Sequence, residues 1–153
     1  MKETKNVYVS PALPLKALRT VLGVSLFFFL FYIVVGYSIW KLPFPTPGDL
    51  LEIFLVTGAG VGLGVLFSRF WPLPPEMGME RVVRTLLLVI PALGLGIALQ
   101  TFLQGAQAQR ALYFIFALAA WMGSGHIVRI ETAQTEVAPT EAARSATARH
   151  ATD

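Results

Sequence analysis

The chain contains no cysteine, and it has few charged residues for its length. Of its 153 residues, 14% are charged, whereas a soluble domain usually has about a quarter. Because there is no thiol, disulfides, thiol catalysis, iron–sulfur clusters and cysteine zinc sites are excluded. The low charge and the 55% hydrophobic content instead place the chain in the membrane class.

The residue combinations that carry most membrane-enzyme chemistry are also missing from the apolar part of the sequence. It has no Ser/His/Asp set, no paired carboxylates within an apolar run and no metal-ligand spacing. A haem held between helices usually needs two membrane histidines. Here only His126 lies in an apolar run, because His150 lies in the polar tail. We therefore predict a chain that is not an enzyme and has no metal and no cofactor.

Four apolar runs dominate the sequence, and each is close to the length that crosses a bilayer. They cover residues 20–40, 50–71, 82–103 and 111–130, and a spanning helix needs about 20 predominantly apolar residues. The connections between the runs are short. This pattern predicts an all-α fold, an integral membrane bundle of four transmembrane helices.

The two ends of the chain differ in composition from this central part. Residues 1–19 form a short basic lead, and residues 131–153 are rich in Ala, Thr and Glu with no aromatic residue. A segment of the second kind cannot bury enough apolar surface to order itself. The predicted organisation is therefore a lead at 1–19, a transmembrane domain at 20–130 and a disordered tail at 131–153.

Small residues four positions apart recur in the second, third and fourth runs. Such pairs share one face of a helix, and helices in lipid associate through close van der Waals approach, which small residues permit. The second run has the most glycines and is predicted as the helix on which the others pack, with the small face of the third run against it. In the third run, Pro91 removes a backbone hydrogen bond and predicts a kink. The predicted packing residues are Gly58, Gly60, Gly62, Gly64, Ala92, Gly96, Ala119 and Gly123.

The glycine stretch also matches a known cofactor motif. TGAGVGLG, residues 57–64, resembles the TGxxxGxG loop of short-chain dehydrogenases, and Tyr37 with Lys41 is similar to the YxxxK catalytic pair of that family. The resemblance implies a phosphate loop between a strand and a helix. Here the flanks are a continuous membrane-length apolar run, and the YxxxK pair precedes the loop instead of following it. We therefore reject a dinucleotide site.

Lys and Arg are distributed unequally between the two sides that four spans would define. The positive-inside rule places the side with more of them in the cytoplasm, together with both termini, and the expected location is a bacterial inner (plasma) membrane. The expected lipid contacts are anionic headgroups, which attract such residues by about 1 kcal/mol each. The outer side has Lys41 and Arg110. The inner side has Lys2, Lys5, Lys16, Arg19, Arg69, Arg81, Arg84, Arg129, Arg144 and Arg149.

Polar groups near the outer ends of the runs are the first set of candidate contact residues, because such groups are costly inside a bilayer. Glu52, Gln100 and Gln104 are predicted to meet there with Lys41, as a cluster between helices or as a solute entry site. Asp49 is the predicted N-cap of the second helix.

A second set lies near the inner ends. Arg69, Arg84 and His126 are candidate contacts for a lipid headgroup or a quinone. Glu80 and Arg84 are four residues apart at the start of the third helix, which predicts a solvated ion pair.

Three functional hypotheses remain open. The first is a non-catalytic accessory subunit or assembly factor that packs against larger membrane proteins, because the chain offers small-residue faces and no central chemistry. The second is a small transporter or channel that works as a homo-oligomer and uses Glu52 and the kinked third helix. The third is a lipid-binding or quinone-binding membrane anchor that depends on His126. None of them involves nucleic acid.

Overall fold

Four helices make up most of the structure, and a small two-stranded sheet lies at one end of them. The computed structural model of the chain describes residues 7–105 and 110–129, so the predicted tail at 131–153 lies outside the described residues. The helices are α1 (Leu13–Phe31), α2 (Pro47–Phe70), α3 (Met79–Gln104) and α4 (Leu112–Gly123). The π-helical segment Tyr32–Tyr37 extends α1, and the 3-10 turn Ser124–His126 extends α4. The strands are β1 (Val7–Val9) and β2 (Ile127–Arg129).

Three of the helices are long and apolar enough to cross a membrane. They are Leu13–Tyr37, Pro47–Phe70 and Met79–Gln104, with 25, 24 and 26 residues and mean hydropathies of 2.2, 2.1 and 2.2. At about 1.5 Å per residue, each exceeds the roughly 30 Å of a hydrocarbon core. These three helices fit a membrane protein.

The fourth helix is shorter than the predicted run at 111–130. With its 3-10 turn it covers Leu112–His126, 15 residues, or about 22 Å at helical rise. The chain leaves the helix because Gly123 and Gly125 are poor helix formers. The β-branched residues that follow pair as a strand with β1. The structure therefore has three membrane-length helices and one shorter helix, and the four transmembrane spans stay a prediction.

The sheet joins three distant parts of the chain at one end of the bundle. β1 pairs antiparallel with β2, with Tyr8 opposite Val128. The connection between α2 and α3 adds to β2 on its other side: the Leu73 N–H donates to the Ile127 carbonyl at 3.0 Å, and the Arg129 N–H donates to the Leu73 carbonyl at 2.9 Å. The start of α1, the end of α2 and the end of α4 therefore meet at the same end.

The helix at the centre of the bundle is α4 and not the glycine-rich α2. It packs closely on α2 and on α3 and also touches α1, whereas α2 and α3 barely meet. Its buried side includes Ile115, Ala119 and Ala120, each with no exposed surface. The prediction that the others pack on the second helix holds for α1 and α4 and is wrong for α3, which packs on α4. The small face of α3, with Ala92 and Gly96, lies against α4 instead of α2.

Glycines set how closely α2 and α4 approach. A Cβ at Gly60 would lie 2.5 Å from the Phe116 carbonyl oxygen, and one at Gly64 would clash with the Ala120 carbonyl oxygen. From α4, a Cβ at Gly123 would lie 2.5 Å from the Val61 carbonyl oxygen. Only a hydrogen in place of a side chain allows this backbone contact.

The other two glycines of α2 do not take part in packing within the chain. An added Cβ at Gly58 or Gly62 meets nothing within 4 Å. They lie two residues from Gly60 and Gly64, about 200° around the helix, and therefore face away from α4. Among the described residues Gly60 and Gly64 therefore pack against α4, and packing by Gly58 and Gly62 stays a prediction.

Helix α2 begins three residues earlier than predicted. Thr46 is the N-cap, and Asp49 is the third helical residue of a capping box: the Asp49 carboxylate accepts from the Thr46 N–H at 2.6 Å. Pro47 at the first helical position lets the helix begin earlier, since its missing N–H is not needed there. In α3 the helix continues through Pro91 from Met79 to Gln104, and the kink stays a prediction.

Candidate functional site

The most deeply buried charged group of the described residues is the guanidinium of Arg84, near the start of α3. The residue is 1% exposed. Its Nε donates to the Trp71 carbonyl at 2.8 Å, and Nη2 donates to Ser68 Oγ at 2.7 Å and to the Ser124 carbonyl at 3.1 Å. Arg84 therefore connects α2, the segment after α2 and the end of α4.

This network depends on the close contact between α2 and α4. Gly64 brings the end of α4 against α2, and Ser68, one turn later, then lies next to Ser124. Ser68 Oγ is 2.9 Å from the Gly64 carbonyl oxygen and 2.7 Å from the Ser124 carbonyl oxygen, and its single proton can serve only one of them at a time. The guanidinium carbon of Arg84 also lies 5.4 Å from the ring centroid of Phe67, a cation–π distance.

Arg84 does not form the predicted solvated ion pair with Glu80. Glu80 accepts from Arg129 Nη2 at 3.0 Å and from Trp71 Nε1 at 3.3 Å. Positions four apart differ by about 40° on a helix, enough for Arg84 to face inward while Glu80 faces the sheet. The sequence could not show this, because the acceptors for Arg84 come from residues 13 to 40 positions away.

His126 and Arg69 do not form a cluster with Arg84. The His126 ring meets α1, where Nε2 lies 3.1 Å from Thr20 Oγ1. Thr20 Oγ1 also lies 3.1 Å from the Lys16 carbonyl oxygen. When the Thr20 hydroxyl donates its proton to that carbonyl, the N–H at His126 Nε2 is the donor to Thr20 Oγ1. Arg69 follows Ser68 by one residue, about 100° around α2, and is exposed. The structure thus separates the three predicted inner residues.

The opposite end of the bundle contains a charge pair. Arg110 forms a salt bridge with Asp49, with side chains 10% and 17% exposed. The guanidinium carbon of Arg110 lies 5.7 Å from the ring centroid of Tyr32, and the Tyr32 hydroxyl accepts from the Ala111 N–H at 3.1 Å. This arrangement joins α1, α2 and the start of α4.

Of the four predicted outer residues, the structure brings two together. Gln104 Nε2 donates to Glu52 Oε2 at 2.8 Å, which connects α3 with α2. Gln100 Oε1 instead accepts from the Tyr113 N–H at 3.2 Å at the start of α4. Lys41 lies in the connection before α2 with a left-handed backbone (φ 56°). The part of the chain that the structure describes contains no group of three or more His, Cys, Asp or Glu side chains able to hold a metal ion.

The residues that sequence reasoning missed are those whose partners are polar main-chain or hydroxyl groups. Ser68, Ser124 and Thr20 are single hydroxyl residues in apolar runs, which usually satisfy themselves on their own helix. The only signal is that Ser68 lies four residues after Gly64, on the close-packing face.

Comparison of the chain with protein-family models, with curated proteins and with solved structures finds no match.

Proposed function

We propose that the protein is a non-catalytic membrane component that assembles with other membrane-protein chains, as a structural subunit or an assembly factor. The observation that carries this proposal is the outward face of α2. Gly58 and Gly62 lie on it with open space above them, and Leu55 and Leu66 on either side are 57% and 52% exposed. Two glycines four apart between large side chains make a shallow groove, and grooves of this kind accept a second transmembrane helix.

The inward face of the same helix supports this interpretation. There, Gly60 and Gly64 already accept α4 at backbone contact. The chain therefore uses one glycine pair of α2 for its own packing and leaves the equivalent pair facing lipid. The interior charged groups also have structural partners: Arg84 donates to carbonyl and hydroxyl oxygens, and Asp49 pairs with Arg110.

We also propose that both termini face the cytoplasm of a bacterial cell, with the chain in the inner membrane. The excess of Lys and Arg on the side of the termini supports this orientation. The pairing of β1 with β2 supports it too, because it keeps the start of α1 and the end of α4 on one side.

The test of the assembly role is gentle extraction from native membranes, followed by mass determination of the intact particle and identification of its components. We expect a stoichiometric membrane-protein partner that is lost with Gly62→Leu. The matched control is Gly94→Leu on α3, which also meets nothing within 4 Å and should keep the partner. A particle that contains only copies of this chain would contradict the proposal.

A homo-oligomeric transporter or channel is the second candidate, and the Glu52–Gln104 pair favours it. This hydrogen bond lies between two apolar helices, and among the described residues Gln104 Oε1 is buried without a hydrogen-bond partner. In a flux protein, Glu52→Gln should abolish transport in proteoliposomes. In a structural subunit the same variant should still assemble with its partner.

A further inference from the structure

A cavity opens at the end of the bundle where α1 and α3 begin and α4 ends. Its volume is about 560 Å³, within the range of small-molecule sites. Thr20, Arg81, Thr85 and His126 supply polar groups to its wall, and Trp121 is among its apolar residues. The contact between His126 and Thr20 holds these two side chains together on that wall.

The surroundings of this cavity are positively charged. Arg81 lines it, Arg19 lines the adjoining groove, and Arg84 lies behind Ser124, whose Oγ is 3.4 Å from Arg84 Nη1. Over residues 7–105 and 110–129, the carboxylates in salt bridges are Asp49 and Glu80, and these pair with Arg110 and Arg129. No Asp or Glu is among the residues that line the cavity and the adjoining groove. Arg81 is partly exposed and Arg19 is exposed, so both are available to attract an anion in the cavity.

Two apolar grooves extend from the cavity along the sides of α4. The groove between α1 and α4 has a volume of about 470 Å³ and shares Thr20 and Met122 with the cavity. The groove between α3 and α4 has a volume of about 340 Å³ and shares Thr85 and Trp121 with it. Leu118 lines both grooves. The outward face of α4 thus separates two apolar channels that meet at one polar, cationic end.

Gly23 is the residue that opens the first groove. It lies on its wall, and an added Cβ there would meet nothing within 4 Å. Further along, Val24, Phe27 and Phe28 make the groove apolar. The second groove continues from Thr85 through Val89 to Leu93, one turn of α3 at a time.

We propose that this surface binds one anionic diacyl phospholipid. Its phosphate occupies the cavity beside Arg81 and His126, and one acyl chain lies in each groove. Charge complementarity selects the headgroup, and the two grooves that diverge from one cationic cavity match a molecule with two chains and one anionic head. The site is independent of the proposed assembly role, since α1, α3, α4 and the connection between α2 and α3 line it and the outward glycines of α2 do not.

The experiment uses the full purified chain in mild detergent. Phosphatidylglycerol or phosphatidylcholine with identical acyl chains is titrated in, and bound lipid is counted by native mass spectrometry. We expect one tightly held phosphatidylglycerol per chain and weaker binding of phosphatidylcholine. Arg81→Gln should weaken phosphatidylglycerol binding about fivefold, the equivalent of about 1 kcal/mol per cationic residue near a headgroup. Gly23→Leu should weaken both lipids by filling a groove.

Matched variants make the test specific. Arg69→Gln removes one positive charge at the same end of the bundle, on α2 and outside the cavity, and Gly94→Leu adds the same side chain on α3, outside both grooves. Both should bind like the parent chain. Equal affinity of the parent chain for the two lipids would overturn the proposal, and this comparison needs no variant. Displacement of the bound lipid by glycerol phosphate or inorganic phosphate at similar concentration would also overturn it, because the site would then recognise a free phosphate without the chains.

Discussion

The two ends of the helical bundle accommodate charged side chains near the apolar interior in different ways. At one end Arg110 pairs with Asp49, so a cation and an anion cancel. At the other end Arg84 is buried more deeply, and its described partners are neutral oxygens of Ser68, Ser124 and Trp71. The charges of Arg110 and Asp49 therefore cancel, whereas no carboxylate is among the described hydrogen-bond partners of Arg84. The site proposed for an anionic ligand accordingly lies at the end with Arg84.

The two ends also differ in what holds the backbone. The Arg84 end has strand pairing between β1, β2 and the Leu73 segment, which brings three distant parts of the chain together. At the Arg110 end the described links are side-chain contacts, including those of Asp49, Tyr32 and Gln104. Substitutions at the Arg84 end should therefore disturb more of the molecule than substitutions at the Arg110 end.

The largest effect is expected from Gly64→Leu. The new side chain would meet the Ala120 backbone, force α2 and α4 apart and leave Arg84 without Ser124. We expect no stable folded bundle in detergent, as measured by thermal unfolding followed by circular dichroism. Gly62→Leu, the same change on the opposite face, should unfold at the parent temperature. A stable Gly64→Leu bundle would show that the close approach is not required.

Arg84→Leu should have the next largest effect. It keeps an apolar side chain in place but leaves the Trp71 carbonyl without its described donor, whereas the Ser124 carbonyl keeps Ser68 Oγ. An unsatisfied buried polar group costs about 1–3 kcal/mol, so we expect a loss of about the same size in the free energy of unfolding. Denaturant titration in micelles measures it. The exposed Arg69→Leu is the control and should change the free energy by less than about 0.5 kcal/mol.

A smaller loss is expected from Asp49→Asn at the other end. The amide still accepts from the Thr46 N–H, but the charge pair with Arg110 is gone. A pair that is mostly but not fully shielded from solvent contributes about 1 kcal/mol or less. A double-mutant cycle with Arg110→Gln isolates this coupling energy. A coupling larger than that lost at Arg84 would reverse the ranking of the two ends.

The smallest effect is expected from Thr20→Val, which removes one hydrogen bond to His126 with little change in shape. Such bonds between membrane helices average about 0.6 kcal/mol. Stability should hardly change, while binding of an anionic lipid beside His126 should fall measurably. Thr101→Val is a suitable control, because the described partner of its hydroxyl is the carbonyl of Ile97 on its own helix.

Much of the candidate site was only partly visible in the sequence. Arg84, His126 and Glu52 stood out because ionisable residues in apolar runs are rare, yet their partners did not. Glu52 accepts a hydrogen bond from Gln104 as expected, but Arg84 donates to Ser68 and Trp71 instead of pairing with Glu80. A partner far along the chain depends on which helices are neighbours, and periodicity within one helix carries no information about that.

The amino-acid sequence is enough to establish the class of the molecule and the existence of its long helices. Apolar runs of membrane length, each closed by prolines, glycines or charges, are enough to specify α1, α2 and α3, because backbone hydrogen bonding within a helix is local. Tertiary structure decided that α4 lies at the centre, that it ends early in a strand, and that Gly60 and Gly64 face inward while Gly58 and Gly62 face outward. Both glycine pairs have the same spacing, so only the position of α4 distinguishes them.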